Sequence, residues 1–367
     1  MPTIAVAGSI AQRPRRPGHA WVFLNYLLGF RALGHEVLFI DRLDAGADPA
    51  WLAAAMARGG FEDRYAALRG ASDSVGMSRR QVLEQLRGSL LLLNVNGFLT
   101  DLELLAAAPR RVYLDIDPGF GQLWAEQGLA DTFAGHDDFV TVGTNLGGQG
   151  CSVPLLGREW IPTLPPVALD RWPVAPAGEG FTSVGSWRGP FGPLEQDGRA
   201  LGLRVHEFRR YLDLPAAVAA PFEIALDIDP ADAADLAALR GAGWSVADPL
   251  VRLADFDSYA SYIGGSLAEI SIAKQLYVAT RGGWFSDRSA AYLARGKPVI
   301  AQDTGFGAAL PTGAGLLAFD GPDGAAAAAE EVLAHPRLHA RAARQLAEEH
   351  LDCRRVLTRL LDRLGAG

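Results

Sequence analysis

The residues best suited to chemistry gather in one stretch, Tyr277 to Phe306, which reads YVATRGGWFSDRSAAYLARGKPVIAQDTGF. Gly282 and Gly283 open a loop there, because glycine lets a backbone turn tightly and come close to a ligand. Ser286 or Asp287 suits the N-cap of a helix running to Arg295, with Gly296 as its stop and Pro298 just beyond. A glycine-rich approach to a helix start leaves backbone N–H groups unpaired and aligned with the positive end of the helix dipole, a seat for a phosphate. Gly282, Gly283, Ser286, Asp287, Arg288 and Ser289 are therefore candidate anion contacts. Arg288 opposes the dipole in the first turn, a placement that makes sense if it faces an anion. Glycine-rich turns are also common in α/β proteins, so a plain structural turn stays open.

Such a loop needs a sheet behind it. Thr3 to Ala7 reads as a short apolar strand, followed by a basic loop with Arg13, Arg15 and Arg16. The helical stretch HAWVFLNYLLGFRALGHEV comes next, Gly34 stops it, and Val37 to Ile40 forms a second strand. This βαβ opening predicts a parallel sheet. The first turn, AGSIAQ, lacks G-x-G-x-x-G, so no dinucleotide fingerprint is present. His19 stands at the mouth of this first βα loop with an imidazole that titrates near neutral pH. Its ring is either free for proton transfer to a ligand or that of a solvated helix-start residue; His35, in the tight αβ turn, has the weaker claim.

From Pro49 to Gly88 the chain reads as helices, one of them beginning at Arg79. Leu90 to Val95, Val112 to Asp117 and Phe139 to Val142 are almost wholly apolar, as expected of strands covered on both faces. Ligands collect at the carboxyl ends of such strands, which makes Asn96, Asp115, Asp117 and Asn145 candidate acceptor contacts. Asp117 before Pro118 fits a turn-forming acid equally well. Prolines at 162, 165, 166, 173 and 176 mark an extended connector and hence a domain boundary. The division expected is residues 1–165, 176–350 and a terminal helix over 351–367. In the second part Phe181 to Val184 starts a new sheet that runs into the loop from Gly185 to Pro190, which carries Arg188 and, by default a packing residue, Trp187. Leu267 to Ile272 is a further strand carrying Glu269, which either holds ribose hydroxyls or pairs with a nearby base. Lys274 follows it as a second candidate phosphate cation.

A chain of 367 residues with 49% hydrophobic and 21% charged content is long enough for two ordinary domains and has the balance of a soluble globular protein. The net charge of −8 argues against a general nucleic-acid binder. Two distant cysteines, Cys151 and Cys353, form no metal or redox motif, which suggests a reducing, cytoplasmic setting. MPTIAVAGSI is too short and too quickly polar for a signal peptide, and no apolar run has the length of a membrane span.

Two segments carry a resemblance to a known family. GGWFSDRSAAYLARGKPVIAQDTGF is similar to the donor-site segment of GT-B glycosyltransferases, matching its A-x-G-x-P-V-I pattern at Ala294, Gly296, Pro298, Val299 and Ile300. GHAWVFLNYLLGFRALGHEVLFID resembles the first loop, helix and strand of the same enzymes. The resemblance implies an α/β GT-B fold: two doubly wound Rossmann-like domains facing each other across a cleft, the terminal helix often returning to the first. It implies a donor nucleotide-diphosphate sugar held in the second domain by Gly185, Arg188, Lys274 and the Gly282–Ser289 segment, with Asp303 and Thr304 on sugar hydroxyls. Asn96, Asp117 and Asn145 would hold a small-molecule or glycan acceptor, and His19 would be the catalytic base, as in inverting members. Many retaining members carry two acids where this chain has Gly283 and Ala291, which tilts the expectation toward inversion. No cofactor and no metal is called for: Asp115-Ile116-Asp117 and Asp227-Ile228-Asp229 have D-x-D spacing but lie in or at the end of apparent strands. A nucleotide-sugar epimerase or hydrolase on the same fold, and a catalytically silent nucleotide-sugar binder, are the rival readings.

Overall fold

The computed structural model describes residues 2–70 and 73–367. The chain divides into two compact units. Met1–Gly143, Pro154–Ala168 and Leu351–Gly367 form the first; Thr144–Val153 and Leu169–His350 form the second.

The first unit is built on an eight-stranded sheet. Its strands are β1 (Thr3–Ala7), β2 (Glu36–Arg42), β3 (Tyr65–Arg69), β4 (Asp73–Gly76), β5 (Ser89–Val95), β6 (Arg111–Asp115), β7 (Asp138–Thr141) and β8 (Trp160–Pro162). Their order is β4-β3-β2-β1-β5-β6-β7-β8, with every pairing parallel except the β3–β4 hairpin. The sheet winds outward in both directions from β1, so the loop after β1 lies at the topological switch point, where such sheets bind ligands. Ile4, Ala5, Val6 and Ala7 are wholly buried, in keeping with a central strand covered on both faces.

The helix after this loop, α1 (Pro17–Ala32), starts with proline at its first position, where the missing N–H costs nothing. Every residue from Ala20 to Phe30 is buried, so α1 is an interior helix rather than an amphipathic one. Gly29 is the point where the terminal helix packs against it: a Cβ there would lie 2.4 Å from Leu357 Cδ1 and 2.9 Å from Cys353 Cβ.

The second unit carries an all-parallel six-stranded sheet and a small hairpin. Its strands are β9 (Phe181–Ser186), the hairpin β10 (Leu194–Gln196) and β11 (Arg199–Leu201), then β12 (Phe222–Asp227), β13 (Trp244–Ala247), β14 (Ala268–Ser271), β15 (Val299–Gln302) and β16 (Leu316–Phe319). The sheet order is β13-β12-β9-β14-β15-β16, which puts this unit's switch point between β9 and β14. Two of its helices, α2 (Arg204–Phe208) and α3 (Asp287–Ala294), begin with or close to an arginine.

The last helix, α4 (Cys353–Arg363), belongs to the first unit and buries Val356, Leu357, Leu360 and Leu361. The chain is tied on each side of its start: Val167 N–H donates to the Leu351 carbonyl (2.8 Å) and Cys353 N–H to the Val167 carbonyl (3.0 Å).

Two readings of the sequence are corrected. Residues 49–88 are not all helical, since β3 and β4 lie between the helices Pro49–Gly59 and Arg79–Arg87. Pairing to β2 outweighs the helical leaning of the alanines in YAALR. The proline-rich connector is not wholly free of regular structure either: Trp160–Pro162 is the edge strand β8, where a proline is tolerated. In both cases tertiary pairing overrides local composition.

Gly29→Val is expected to destabilise the protein by about 1–3 kcal/mol, the usual cost of forcing extra methyls into a filled core. A melting temperature equal to that of the parent would show that the α1–α4 contact yields at no cost.

Candidate functional site

In the first unit the switch-point loop is pinned from below by Asp41, at the end of β2. Its buried carboxylate accepts hydrogen bonds from Ala11 N–H (2.7 Å), Arg42 N–H (2.7 Å) and Gln12 Nε2 (3.3 Å). Burial nevertheless pushes its pKa up to about 6, with those hydrogen bonds opposing the shift. Above this loop stands His19, with Nε2 3.2 Å from the Ser9 carbonyl and 3.0 Å from Ser9 Oγ. The carbonyl only accepts, whereas the hydroxyl can donate or accept, so the bond to the carbonyl belongs to the tautomer with its proton on Nε2 and the bond to the hydroxyl suits either. The edge of Phe23 packs against the imidazole, with centroids 5.1 Å apart.

Asn96 and Asp117 meet at the carboxyl ends of β5 and β6. Asn96 Nδ2 donates to Asp117 Oδ2 (3.4 Å), and Asn96 Oδ1 accepts from Ile116 N–H (2.9 Å). Asp117 lies close enough to His19 to favour its charged form. Beneath them, buried Asp115 accepts from Gln122 Nε2 (2.8 Å), Thr141 Oγ1 (2.9 Å) and Asp117 N–H (3.1 Å), and burial raises its pKa to about 6. The expected acceptor residues of the first unit thus share one end of the sheet.

Asn145 is the expected acceptor residue that falls in the other unit. There its Nδ2 donates to the Arg281 carbonyl (2.8 Å) and its N–H to the Gly282 carbonyl (3.1 Å). Its amide is a clamp on the glycine loop. Gly283 has φ +82°, and a Cβ there would lie 2.4 Å from Asn145 N. Glycine is required at 283 by this close backbone approach. Thr304 completes the fastening: its carbonyl accepts from Gly283 N–H (2.8 Å) and its Oγ1 donates to the Trp284 carbonyl (2.6 Å). Asp303 pairs with Arg281 (2.8 Å) and accepts from Gly305 N–H (2.8 Å). Asp303 and Thr304, which the resemblance assigns to sugar hydroxyls, thus also fasten the loop.

The cations expected to meet phosphate are largely engaged by protein groups. Arg188 is half exposed and gripped by Asp232, its Nε donating at 2.8 Å. Trp187 is buried and donates to Asp235 Oδ2 (2.9 Å), the packing role expected by default. Lys274 Nζ donates to the Tyr277 hydroxyl (3.0 Å) and lies over the rings of Tyr277 and Phe191. At the start of α3, Ser286 caps Arg288 N–H (3.2 Å) while Asp287 occupies the first turn. The Arg288 side chain turns inward. Its Nε donates to Glu269 Oε1, its Nη1 to the Val184 carbonyl (2.7 Å) and its Nη2 to Ser271 Oγ (3.0 Å). Burial opposes its charge, but the Glu269 carboxylate prevails and holds its pKa above the ordinary arginine value. Ser289 Oγ is buried beside it without a hydrogen-bond partner among the described residues.

Sequence reading missed Arg204, the first residue of α2. It is 7% exposed, and its guanidinium carbon lies 3.1 Å from where a Cβ on Gly185 would stand. Its immediate neighbours Leu203 and Val205 were the available signal.

Compared with solved structures, the chain is similar over its full length to several glycosyltransferases. HepE from Anabaena in complex with UDP-glucose matches at a TM-score of 0.61, with 11% identity and 100% of both chains covered. A sucrose-phosphate synthase from Thermosynechococcus elongatus matches at 0.57, with 14% identity and 100% of both chains covered. The lipopolysaccharide outer core galactosyltransferase WaaB matches at 0.53, with 11% identity, covering 100% of this chain and 99% of that one. The chain has the GT-B fold. No family model matches it, and no curated protein does. Among its described residues no helix is long and apolar enough to cross a membrane.

The placement of His19 has a consequence for acid stability. Burial, then the Arg13 cation, lowers its pKa from 6.5 to about 4, against the Ser9 carbonyl and Asp117, which act to raise it. Between those two values the unfolded chain binds a proton that the folded one refuses. The stability associated with neutral His19 is thus whole above pH 6.5 and falls away down to pH 4. Asp41 and Asp115 run the other way, losing stability as pH rises from 3.8 to 6. The difference between parent and His19→Phe isolates the histidine. The variant is expected to lose less stability than the parent between pH 7 and pH 5 in urea unfolding; parallel losses would contradict the lowered pKa.

Proposed function

We propose that the protein is a glycosyltransferase that moves a sugar from a nucleotide-diphosphate sugar to an acceptor hydroxyl with inversion and without a metal. The observation that carries this reading is the GT-B fold over the whole chain, shared with HepE, which has been solved with UDP and with UDP-glucose. The second unit would hold the donor at the carboxyl ends of β9 and β14, where the glycine loop, the amino end of α3 and the arginines converge. Asn96 and Asp117 would hold the acceptor. His19 would take the proton of the acceptor hydroxyl as its oxygen bonds to the anomeric carbon. The bond from that carbon to the diphosphate oxygen breaks in the same step, and the diphosphate leaves with the electron pair. A base of low pKa is fully unprotonated at neutral pH, ready to accept, though it draws the proton weakly. Helix dipole and cations would offset the charge that grows on the leaving group, the part a metal plays elsewhere.

One observation favours a second reading. A histidine held by the Ser9 carbonyl, with basicity reduced by burial, also suits a binding protein that keeps the nucleotide-sugar site and turns nothing over.

A thermal-shift screen of UDP, GDP, ADP, CMP and dTDP is expected to raise the melting temperature with at least one of them. A ligand at a hundred times its Kd adds about 2.7 kcal/mol to stability. With the sugar donor of that nucleotide, His19→Ala is expected to lose about 10²–10⁴ in turnover while keeping the diphosphate shift. EDTA should leave parental turnover unchanged. Unaltered turnover in His19→Ala removes the histidine from the chemistry, and parental protein that binds but never transfers supports the second reading.

A further inference from the structure

The loop after β1 in the first unit sets an arginine beside the histidine that would act as base. Its sequence, Gln12-Arg13-Pro14-Arg15-Arg16-Pro17, carries three cations in a chain whose net charge is −8. Arg13 is the one whose field acts on His19: after burial itself, it is the strongest influence keeping the imidazole neutral. Asp117, beyond β6, acts in the opposite sense and more weakly. The Arg13 side chain is exposed and has no hydrogen-bond or ion-pair partner among the described residues. Carboxylates on the neighbouring elements have other partners: Asp41 takes N–H groups of residues 11 and 42, Asp117 takes Asn96, and Asp44 pairs with Arg42 at 2.9 Å. The first turn of α1 supplies no acid.

The backbone that carries this cation is fixed before any ligand arrives. Ala11 N–H donates to Asp41 (2.7 Å), the Ala11 carbonyl accepts from Asp48 N–H (2.8 Å), and Arg13 N–H donates to the Ile10 carbonyl (3.1 Å). Pro14 narrows the freedom of Arg13 further. A guanidinium whose stem leaves an anchored turn, at the ligand-binding end of the sheet, has less order to gain on meeting an anion. For a base alone, such a neighbour is a handicap, since a nearby cation weakens its hold on the very proton it must take. An acceptor that brings its own negative charge reverses the sign. It pairs with Arg13 and offsets the field at the imidazole, so the base strengthens only when the substrate is seated. A neutral acceptor does neither.

We propose that the acceptor carries an anionic group, a phosphate or a carboxylate, which pairs with Arg13 and makes His19 a stronger base in the occupied site than in the empty one. A guanidinium takes either group through two parallel N–H···O bonds. In the glycosyltransferase reading, on which this assignment rests, Arg13 selects a charged acceptor over its neutral counterpart and couples its arrival to proton removal.

The test follows the His19 imidazole by NMR across pH in the full chain, comparing the parent with Arg13→Gln and Arg13→Lys; the signal is the one absent from His19→Phe. Asp41, Asp115 and Asp117 lie on neighbouring elements in all three proteins, so the difference between them isolates Arg13. The probes are inorganic phosphate and acetate, each against sodium chloride at equal ionic strength, which separates binding from screening. In the parent, phosphate or acetate is expected to raise the midpoint of the His19 titration by about one pH unit beyond chloride. Whichever acts more strongly names the group. Arg13→Gln is expected to start from a higher midpoint than the parent and to respond to neither probe. Arg13→Lys is expected to keep the low midpoint and respond more weakly. A parent that responds to both probes no more than to chloride overturns the proposal, as does an Arg13→Gln that responds like the parent. Nucleotide binding is read separately by thermal shift. An anion response through Arg13 with no nucleotide bound sustains the anionic partner and sinks the glycosyltransferase reading. Nucleotide binding without an anion response leaves that reading standing and sinks this proposal.

Discussion

The ion pair of Glu269 with Arg288 is the constraint on which the ligand side of the second unit depends. A wholly buried carboxylate is tolerated only with a partner, and removing one member of such a pair costs about 3–5 kcal/mol. Arg288 does more than neutralise it. Its three-way anchorage to Glu269, Ser271 and the Val184 carbonyl fastens the first turn of α3 to the ends of β14 and β9 together. The helix start cannot drift from the switch point without breaking a buried charge pair. The glycine loop ahead of it is held from the other side by Thr304 and Asn145, mostly through backbone groups. The oriented N–H groups of α3 are thereby held in place before any ligand arrives, which is what a site dependent on electrostatic preorganisation requires.

The first unit reaches a similar result with carboxylates. Asp41 gathers the N–H groups of the loop after β1, and Asp115 gathers Gln122, Thr141 and Asp117 under the ends of β6 and β7. Each is an acceptor hub at the end of a strand, and each has its acidity weakened by burial. These networks hold His19, Asn96 and Asp117 near one another, and they use groups that a survey for catalytic residues passes over.

Much of the fold was legible because parallel sheets buried on both faces leave unbroken apolar runs. LLLLNV and VYLDID read as strands without ambiguity, and PVIAQ after Gly296 did so too. Tyr65–Arg69 did not, because five residues with two alanines carry no period, and only pairing to β2 makes them a strand. The hairpin at 194–201 and the short helix α2 were missed for the same reason. Site residues were legible by neighbourhood and less so by role. His19 lies in the first turn of α1 and Asn96, Asp117, Gly283 and Ser286 lie in the loops beyond strands, where the sequence put them, and Asp303, Thr304 and Asn145 also fasten backbone. The partner of a charge is set by tertiary packing, so a linear reading could not see that Asp232 takes Arg188 or that Glu269 takes Arg288.

Arginine is therefore divided between two duties in the second unit. Those that sequence context made conspicuous, in loops and first turns, are the ones with carboxylates beside them, and their charge is already spoken for. Arg204 is inconspicuous in sequence, flanked by leucine and valine, and is carried inward by that apolar company. Desolvation makes an inward cation expensive in the empty protein and strong toward an anion that reaches it, because the same low dielectric magnifies both terms. An exposed arginine in water offers neither the cost nor the strength. Marginal stability limits how many such residues a chain of this size can carry. Two inward guanidiniums at one switch point, Arg288 paired with a buried carboxylate and Arg204 with a glycine opposite to make room, are consistent with that limit.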